Sequence, residues 1–140
     1  MIRFLAIRLS LLLALVAAPF AARAQDAPAG GTPAVTAEKP APYDARLLRL
    51  SEILGSVHYL RTVCKDKTAD SWRQLMQHLL DKEAGNEAQR RARMTAAFNR
   101  GYRTFASVYT ACTAAAVVAD ERYRAEGATL ASEITARFGN

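Results

Sequence analysis

From position 44 onward, apolar residues recur at three- and four-residue steps, the period of helices that bury one face. The first such stretch starts at Asp44, a residue type suited to capping a helix, and runs to about Cys64. It places Leu47, Leu50, Ile53, Leu54, Val57, Leu60 and Cys64 on one broad face before Lys65, Asp66 and Lys67 interrupt it. A second helix is predicted from about Asp70 to Glu83 by the stripe Trp72, Leu75, Met76, Leu79 and Leu80, with Gly85 just past its end as a C-cap. Asn86, with Gln89 three residues on, is a variant capping box for a third helix, in which Met94, Phe98, Gly101, Phe105, Val108 and Cys112 alternate steps of four and three. Thr113 can cap a fourth, whose inward face is Val117, Tyr123, Gly127, Leu130, Ile134 and Phe138 before Gly139 ends it.

No proline follows Pro42, and that absence agrees with an all-α domain over residues 43–140. Four helices with short connections predict a small antiparallel four-helix bundle, up-down-up-down, because short turns lay sequential helices antiparallel. A three-helix arrangement with the short second helix across one end is the alternative. The segment of about 98 residues supports one core and no more.

The pattern ahead of Pro42 is of another kind. Met1 to Arg8 holds two arginines and no acid, and Leu9 to Phe20 is an almost unbroken apolar run. That run is shorter than the roughly 20 residues of a membrane-spanning helix, and it ends in Ala22-Arg23-Ala24, with small residues where a signal peptidase reads. Residues 1–24 are therefore read as a cleavable signal peptide cut after Ala24, which leaves no stable transmembrane span; an uncleaved anchor is the other reading. No cysteine lies near the cut, which excludes a lipoprotein. Residues 25–42 contain Pro28, Pro33, Pro40, Pro42, Gly30 and Gly31, with Val35 as the one large apolar side chain. Such a composition neither propagates a helix nor buries a core, so a disordered linker is expected, with a docking peptide as the alternative.

Export changes what the charge means. The 140-residue chain has a formal net charge of +6, but Arg3, Arg8 and Arg23 leave with the signal while every acid stays, so the mature chain carries +3. Its basicity therefore argues little for nucleic acid. An exported protein also meets an oxidising compartment. In the up-down-up-down layout Cys64 and Cys112 end the first and third helices at one pole, and two cysteines at matching heights read as a disulfide rather than a metal site. Closing a loop of about 49 residues would stabilise the fold by roughly 4 kcal/mol on the chain-entropy account. Two buried free thiols or a redox pair are the rivals, and no C-x-x-C spacing favours the latter.

Candidate chemistry is sparse. His58 and His78 lie on different helices without an H-x-x-x-H or E-x-x-H partner, so no metal site is expected. There is no C-x-x-C-H haem motif, G-x-S-x-G elbow, P-loop or Gly-rich dinucleotide turn, and no cofactor is expected. Adjacent acids such as Asp81 with Glu83 and Asp120 with Glu121 point apart on a helix or solvate its first turn. An enzyme is not expected.

What remains is arginine placement. On the third helix, Arg93, Arg100, Arg103 and Ser107 share a polar arc of roughly 80°, beside Asn99 and away from Phe98 and Phe105. Spaced guanidinium groups suit carboxylates or phosphates, such as an acidic envelope protein, an anionic lipid head group or a peptidoglycan stem; a solvated face paired with a neighbour's acids is the bland reading. Arg61 falls inside the apolar arc of the first helix. It either snorkels to the bundle end, pairs with a buried acid or lines a ligand groove, to which Tyr59, Tyr102, Tyr109 and Tyr123 could add edges.

The string Pro42 to Leu50, the block Glu52 to Arg61 leading to Cys64, the pair Trp72-Arg73, and Ala97 to Arg103 followed by Cys112-Thr113 together resemble an uncharacterised family of exported alphaproteobacterial proteins, a domain of unknown function. The resemblance covers Pro42 to Asn140. It implies the domain boundaries, the paired cysteines and a bacterial origin, supplies no catalytic residue, and directs attention to Arg61, Asn99, Arg100 and Arg103. The functional expectation is a non-enzymatic periplasmic binding or adaptor module. A peptidoglycan-directed hydrolase, or an inhibitor of one, is the rival and would need convergent carboxylates or a nucleophile with its base. A chaperone-like protein would expose an apolar concave face.

Overall fold

The computed structural model describes residues 40–139, and it is all-α: α1 (Asp44–Val63), α2 (Ala69–Glu83), α3 (Ala88–Ala106) and α4 (Ala114–Phe138), with no strand among the described residues. The expected signal peptide with its cut after Ala24, and the linker up to residue 39, lie outside the described residues.

α1 is the hub. Ile53 to Val57 are buried without a break, so this helix is enclosed on every side at its middle, and α2, α3 and α4 each pack against it. α2 runs antiparallel to it, since His58 meets Ala69 while Leu54 packs with Met76 and Leu80. α4 is antiparallel as well, its contacts running from Arg61 with Asp120 to Tyr43 with Phe138. α3 is parallel to α1, joined near its start by Arg90 to Asp44 and near its end by the disulfide.

These directions alternate, but the helices do not close into the square bundle that short connections suggested. In a square the first and third helices stand diagonally apart, whereas α1 and α3 here press backbone on backbone. Gly55 and Ser56 on α1 and Gly101 on α3 lie at this contact, and Ser51 and Ala97, one turn before Gly55 and Gly101, are buried as well. A Cβ built at Gly55 would fall on the Phe98 carbonyl, within 2.8 Å of its carbon, and one at Gly101 on the Glu52 carbonyl, within 2.9 Å of its carbon. Small residues at four-residue spacing permit that approach. The collapsed diagonal leaves α4 in close backbone approach to α1 alone; with α3 it meets by side chains, the Phe105 and Tyr123 rings lying 4.9 Å apart and edge to face.

Several expectations are corrected by local geometry. α3 stops at Ala106, not at Cys112, and Val108 is 65% exposed beyond its end. The reason lies in the register. Gly55 lies against Phe98, so α1 and α3 end at one level, and six more helical residues would carry Cys112 about 9 Å past the end of α1 at Val63. The chain turns back instead: the Tyr59 hydroxyl donates to the Tyr109 carbonyl, and Cys112 reaches Cys64 with a Cα–Cα distance of 4.6 Å. Asp44 is not the N-cap of α1; Tyr43 is, and the Asp44 carboxylate accepts from the Ala41 N–H at 3.1 Å. The Asn86 and Gln89 capping box is not formed either, since α3 opens at Ala88 with Glu87 as its N-cap. Thr113 does cap α4, accepting from the Ala116 N–H at 3.2 Å. Gly85 takes a left-handed conformation past α2, at φ +47°. Two stripe residues point outward: Leu75 is 49% exposed and Val117 44%.

Candidate functional site

α2 and α4 sit on either side of α1 with their backbones apart, and a groove opens between them. It has a volume of about 300 Å³. Leu50, Ile53 and Leu54 of α1 form its floor, Trp72, Leu75 and Leu79 of α2 one wall, and Gly127, Ala128 and Ala131 of α4 the other, with Arg124 at its rim. The α2 and α4 residues each span about two helical turns, or about 10 Å. The walls differ in kind. Trp72 and Leu75 project large side chains, while α4 offers a smooth surface over which another backbone could lie close. Of the groove's α4 residues, the sequence pattern places Gly127 on the inward face but not Arg124, Ala128 or Ala131; the usable signal was their three- and four-residue spacing on a helix whose neighbours were not yet known.

At the Trp72 end the groove abuts Arg61, which is paired. Its guanidinium contacts Asp120 at 3.3 Å and Asp66 at 3.3 Å, donates to the Thr68 hydroxyl, and lies over the Trp72 ring with its carbon 5.5 Å from the centroid. Arg61 and Asp120 are each only 15% exposed at the side chain, and Arg124 reaches the same Asp120 carboxylate at 3.1 Å. One cation thus ties the end of α1 to the α1–α2 turn and to α4. The Asp66 carboxyl is held below the usual carboxylate range, first by the Thr68 hydroxyl and backbone N–H and further by Arg61, which suits an acceptor rather than a proton donor. Arg61→Met keeps the stem but leaves the largely buried Asp120 with Arg124 as its remaining cation. It is expected to lower the unfolding free energy by about 2–4 kcal/mol in urea titration, and an unchanged midpoint would show that the pair contributes nothing.

The third-helix arginines divide. Arg100 reaches Glu52 at 3.0 Å, and Glu52 in turn meets Arg49 at 3.2 Å. Arg49 forks onto Glu126 with bonds of 2.7 and 2.9 Å and lies over Tyr123, so the chain of charges runs from α3 across α1 to α4. The Arg49 hydrogen bonds hold the Glu126 carboxyl below its ordinary range. Arg93, Asn99 and Arg103 are exposed and make no ion pair or side-chain hydrogen bond among the described residues. Arg93, Asn99, Arg100 and Arg103 are therefore not drawn into one pocket: Asn99 faces α2, while Arg100 leans toward α1.

A buried cation that sequence reasoning passed over is Arg90, which meets Asp44 at 2.7 Å and Glu87 at 3.4 Å and donates to the Glu83 carbonyl at 2.9 Å. It locks the starts of α1 and α3. His58 donates from Nδ1 to the Ala69 carbonyl at 2.9 Å and packs against Phe98 and Tyr102, a structural role. Among the described residues, no three His, Cys, Asp or Glu side chains are grouped to hold a metal ion, and no helix is long and apolar enough to cross a membrane.

No curated protein and no solved structure shows significant similarity to the chain. A family model described as protein of unknown function (DUF2385) matches residues 42–138, the span that holds all four helices, both cysteines and the groove, and the chain belongs to that family.

Proposed function

We propose that the protein is an exported, non-enzymatic binding or adaptor module of the bacterial cell envelope, released into the periplasm by cleavage after Ala24, and that its α2/α4 groove receives an amphipathic helix of an envelope partner protein. The observation that carries this reading is the uncovered apolar groove, with Leu75 half exposed on one wall. Three features favour a helix as the occupant. The groove is about two turns long, its α4 wall is built from Gly127, Ala128 and Ala131, and Arg124 at the rim can meet an acid on the partner's polar face. The residue types on the α4 wall are those that bring α1 and α3 together. The leader segment and the disulfide fit an oxidising compartment. No cofactor, nucleic acid or membrane span enters the proposal.

A hydrolase reading would rest on Asp66 and Asp120, the two carboxylates that converge in a small cleft beside Cys64, but Arg61 stands between them and engages both. That arrangement favours structure over acid–base work.

The test is site-specific photo-crosslinking in the native envelope, with a photoreactive residue in place of Leu75. The expected product joins the groove to an apolar-faced helical segment of an envelope protein, and Ala128→Trp, which fills the groove, removes that product while the protein stays folded. A crosslink that persists in Ala128→Trp, or none at all, would overturn the proposal.

A further inference from the structure

We infer that the pole closed by the disulfide docks on an anionic phospholipid bilayer. α1 and α3 end at this pole and α2 and α4 begin there, and the chain that joins α3 to α4 is uncharged from Thr104 to Ala119. Within that stretch Val108, Val117 and Val118 are exposed, and so are Ala111, Ala114 and Ala115. Among the described residues, these valines are three of the four large apolar side chains left open to solvent, the fourth being Leu75 in the groove. A single exposed valine is ordinary. Three near one bend of the chain, with alanines between them and no charged neighbour until Asp120, make an apolar patch of the kind that another surface covers.

Charge decides what that surface is. The α1–α2 turn lies beside the patch, because the bridge joins Cys64 to Cys112 and Val117 shares a small cleft with Cys64 and Asp66. The turn carries Lys65 and Lys67, both exposed, and Arg122 stands one turn beyond Val118 on the same face of α4. None of these three cations makes an ion pair among the described residues. Nearby, Arg61 and Arg124 are engaged with Asp66 and Asp120. That leaves Lys65, Lys67 and Arg122 against one acid without a partner, Glu121. An apolar cap rimmed by cations complements a bilayer, where the valines enter the head-group boundary and the cations meet lipid phosphates. A second copy of the chain fits worse, since a two-fold contact through the patch would set these cations against their own copies. The surface shares no residue with the lining of the α2/α4 groove, so neither reading depends on the other.

The experiment is vesicle flotation of the disulfide-bonded chain from Gln25 onward, which keeps every described residue and omits the apolar run Leu9 to Phe20, a bilayer ligand in its own right. Vesicles of equal parts phosphatidylglycerol and phosphatidylcholine should carry the protein upward, and pure phosphatidylcholine should bind it at least about tenfold more weakly. Lys65→Glu with Lys67→Glu should weaken binding to the anionic vesicles about thirtyfold or more, and Glu121→Gln should tighten it about fivefold. Val118→Asp should weaken it about tenfold or more. All four positions are exposed, so thermal unfolding should not move. In anionic bicelles that carry a nitroxide-labelled lipid, the amide resonances of Val108, Val117 and Val118 should broaden before that of Phe138, which packs on Tyr43 at the opposite pole. Equal binding to the two kinds of vesicle, anionic binding that Val118→Asp leaves intact, or broadening centred elsewhere would each overturn the inference. So would a dimer that floats with neither vesicle and that Val118→Asp dissolves, an outcome that assigns the patch to a second copy.

Discussion

Gly101→Ala is expected to unfold the domain or bring it to the edge of unfolding. On an ordinary helix the change would be favourable, since alanine is preferred to glycine by about 1 kcal/mol. Here the added methyl would fall on the Glu52 carbonyl, 2.7 Å from the Ser56 hydroxyl and 2.9 Å from the Glu52 carbonyl carbon. Neither neighbour can yield, because the first is backbone of the most enclosed helix and the second is a buried hydroxyl that donates to that same carbonyl at 2.9 Å. Parting α1 from α3 would strip contacts along their whole line of approach, so the net loss is put at about 3 kcal/mol or more, against a total of about 5–15 for a domain of this kind. Gly55→Ala should behave alike, the obstacle being the Phe98 carbonyl. Gly127→Ala is the control, because its Cβ would meet the Ile53 side chain at 3.1 Å rather than backbone. Urea unfolding followed by circular dichroism separates the cases: a Gly101→Ala midpoint equal to the parent's would mean that α1 and α3 do not touch as described.

Removing the Cys64 to Cys112 bridge should cost nearly as much. The bond closes a loop with a sequence separation of 48, and constraining such a loop in the unfolded chain is worth about 4 kcal/mol. The double substitution Cys64→Ser with Cys112→Ser, and the reduced parent, should lose that amount equally in urea titration. The effect should also be local. Residues 107–113 leave α3 without a glycine or proline to fix their course, and apart from Tyr59 the bridge is what draws them back over the end of α1. Hydrogen exchange at Tyr109 to Thr113 should therefore quicken on reduction before the helices open. Equal unfolding midpoints with and without reductant would remove the bridge from the account of stability.

The sequence made the helices readable but not the way they meet. The stripe of α2 and the Thr113 cap are local statements, each complete within one or two turns, and they placed two helix starts within a residue. Val108 and Cys112 continued the three- and four-residue spacing of α3, and nothing local distinguishes a helical step from a chain pulled aside by a bond to a cysteine on another helix. Ser51, Gly55 and Ser56 carry no apolar signal, because their smallness, not their polarity, is what the fold uses. Arg61 was recognisable as a misplaced charge, yet its partner Asp120 lies 59 residues away. Leu75, Ala128 and Ala131 belong to apolar periodicities that resemble any core stripe. That they stay uncovered is decided by the separation of the α2 and α4 backbones, a property of arrangement alone.

The enclosure of α1 also governs the order in which this chain can fold. Among the described helices the hub is made first, while α4, whose surface covers its last side, begins only at Ala114. Until then the strip of α1 that α4 covers, Leu50 and Ile53 among it, is apolar and unprotected, so α1 is not fully enclosed before α4 is made. A chain cut short before α4 would keep that segment exposed and is expected to aggregate or be degraded rather than persist as a smaller domain.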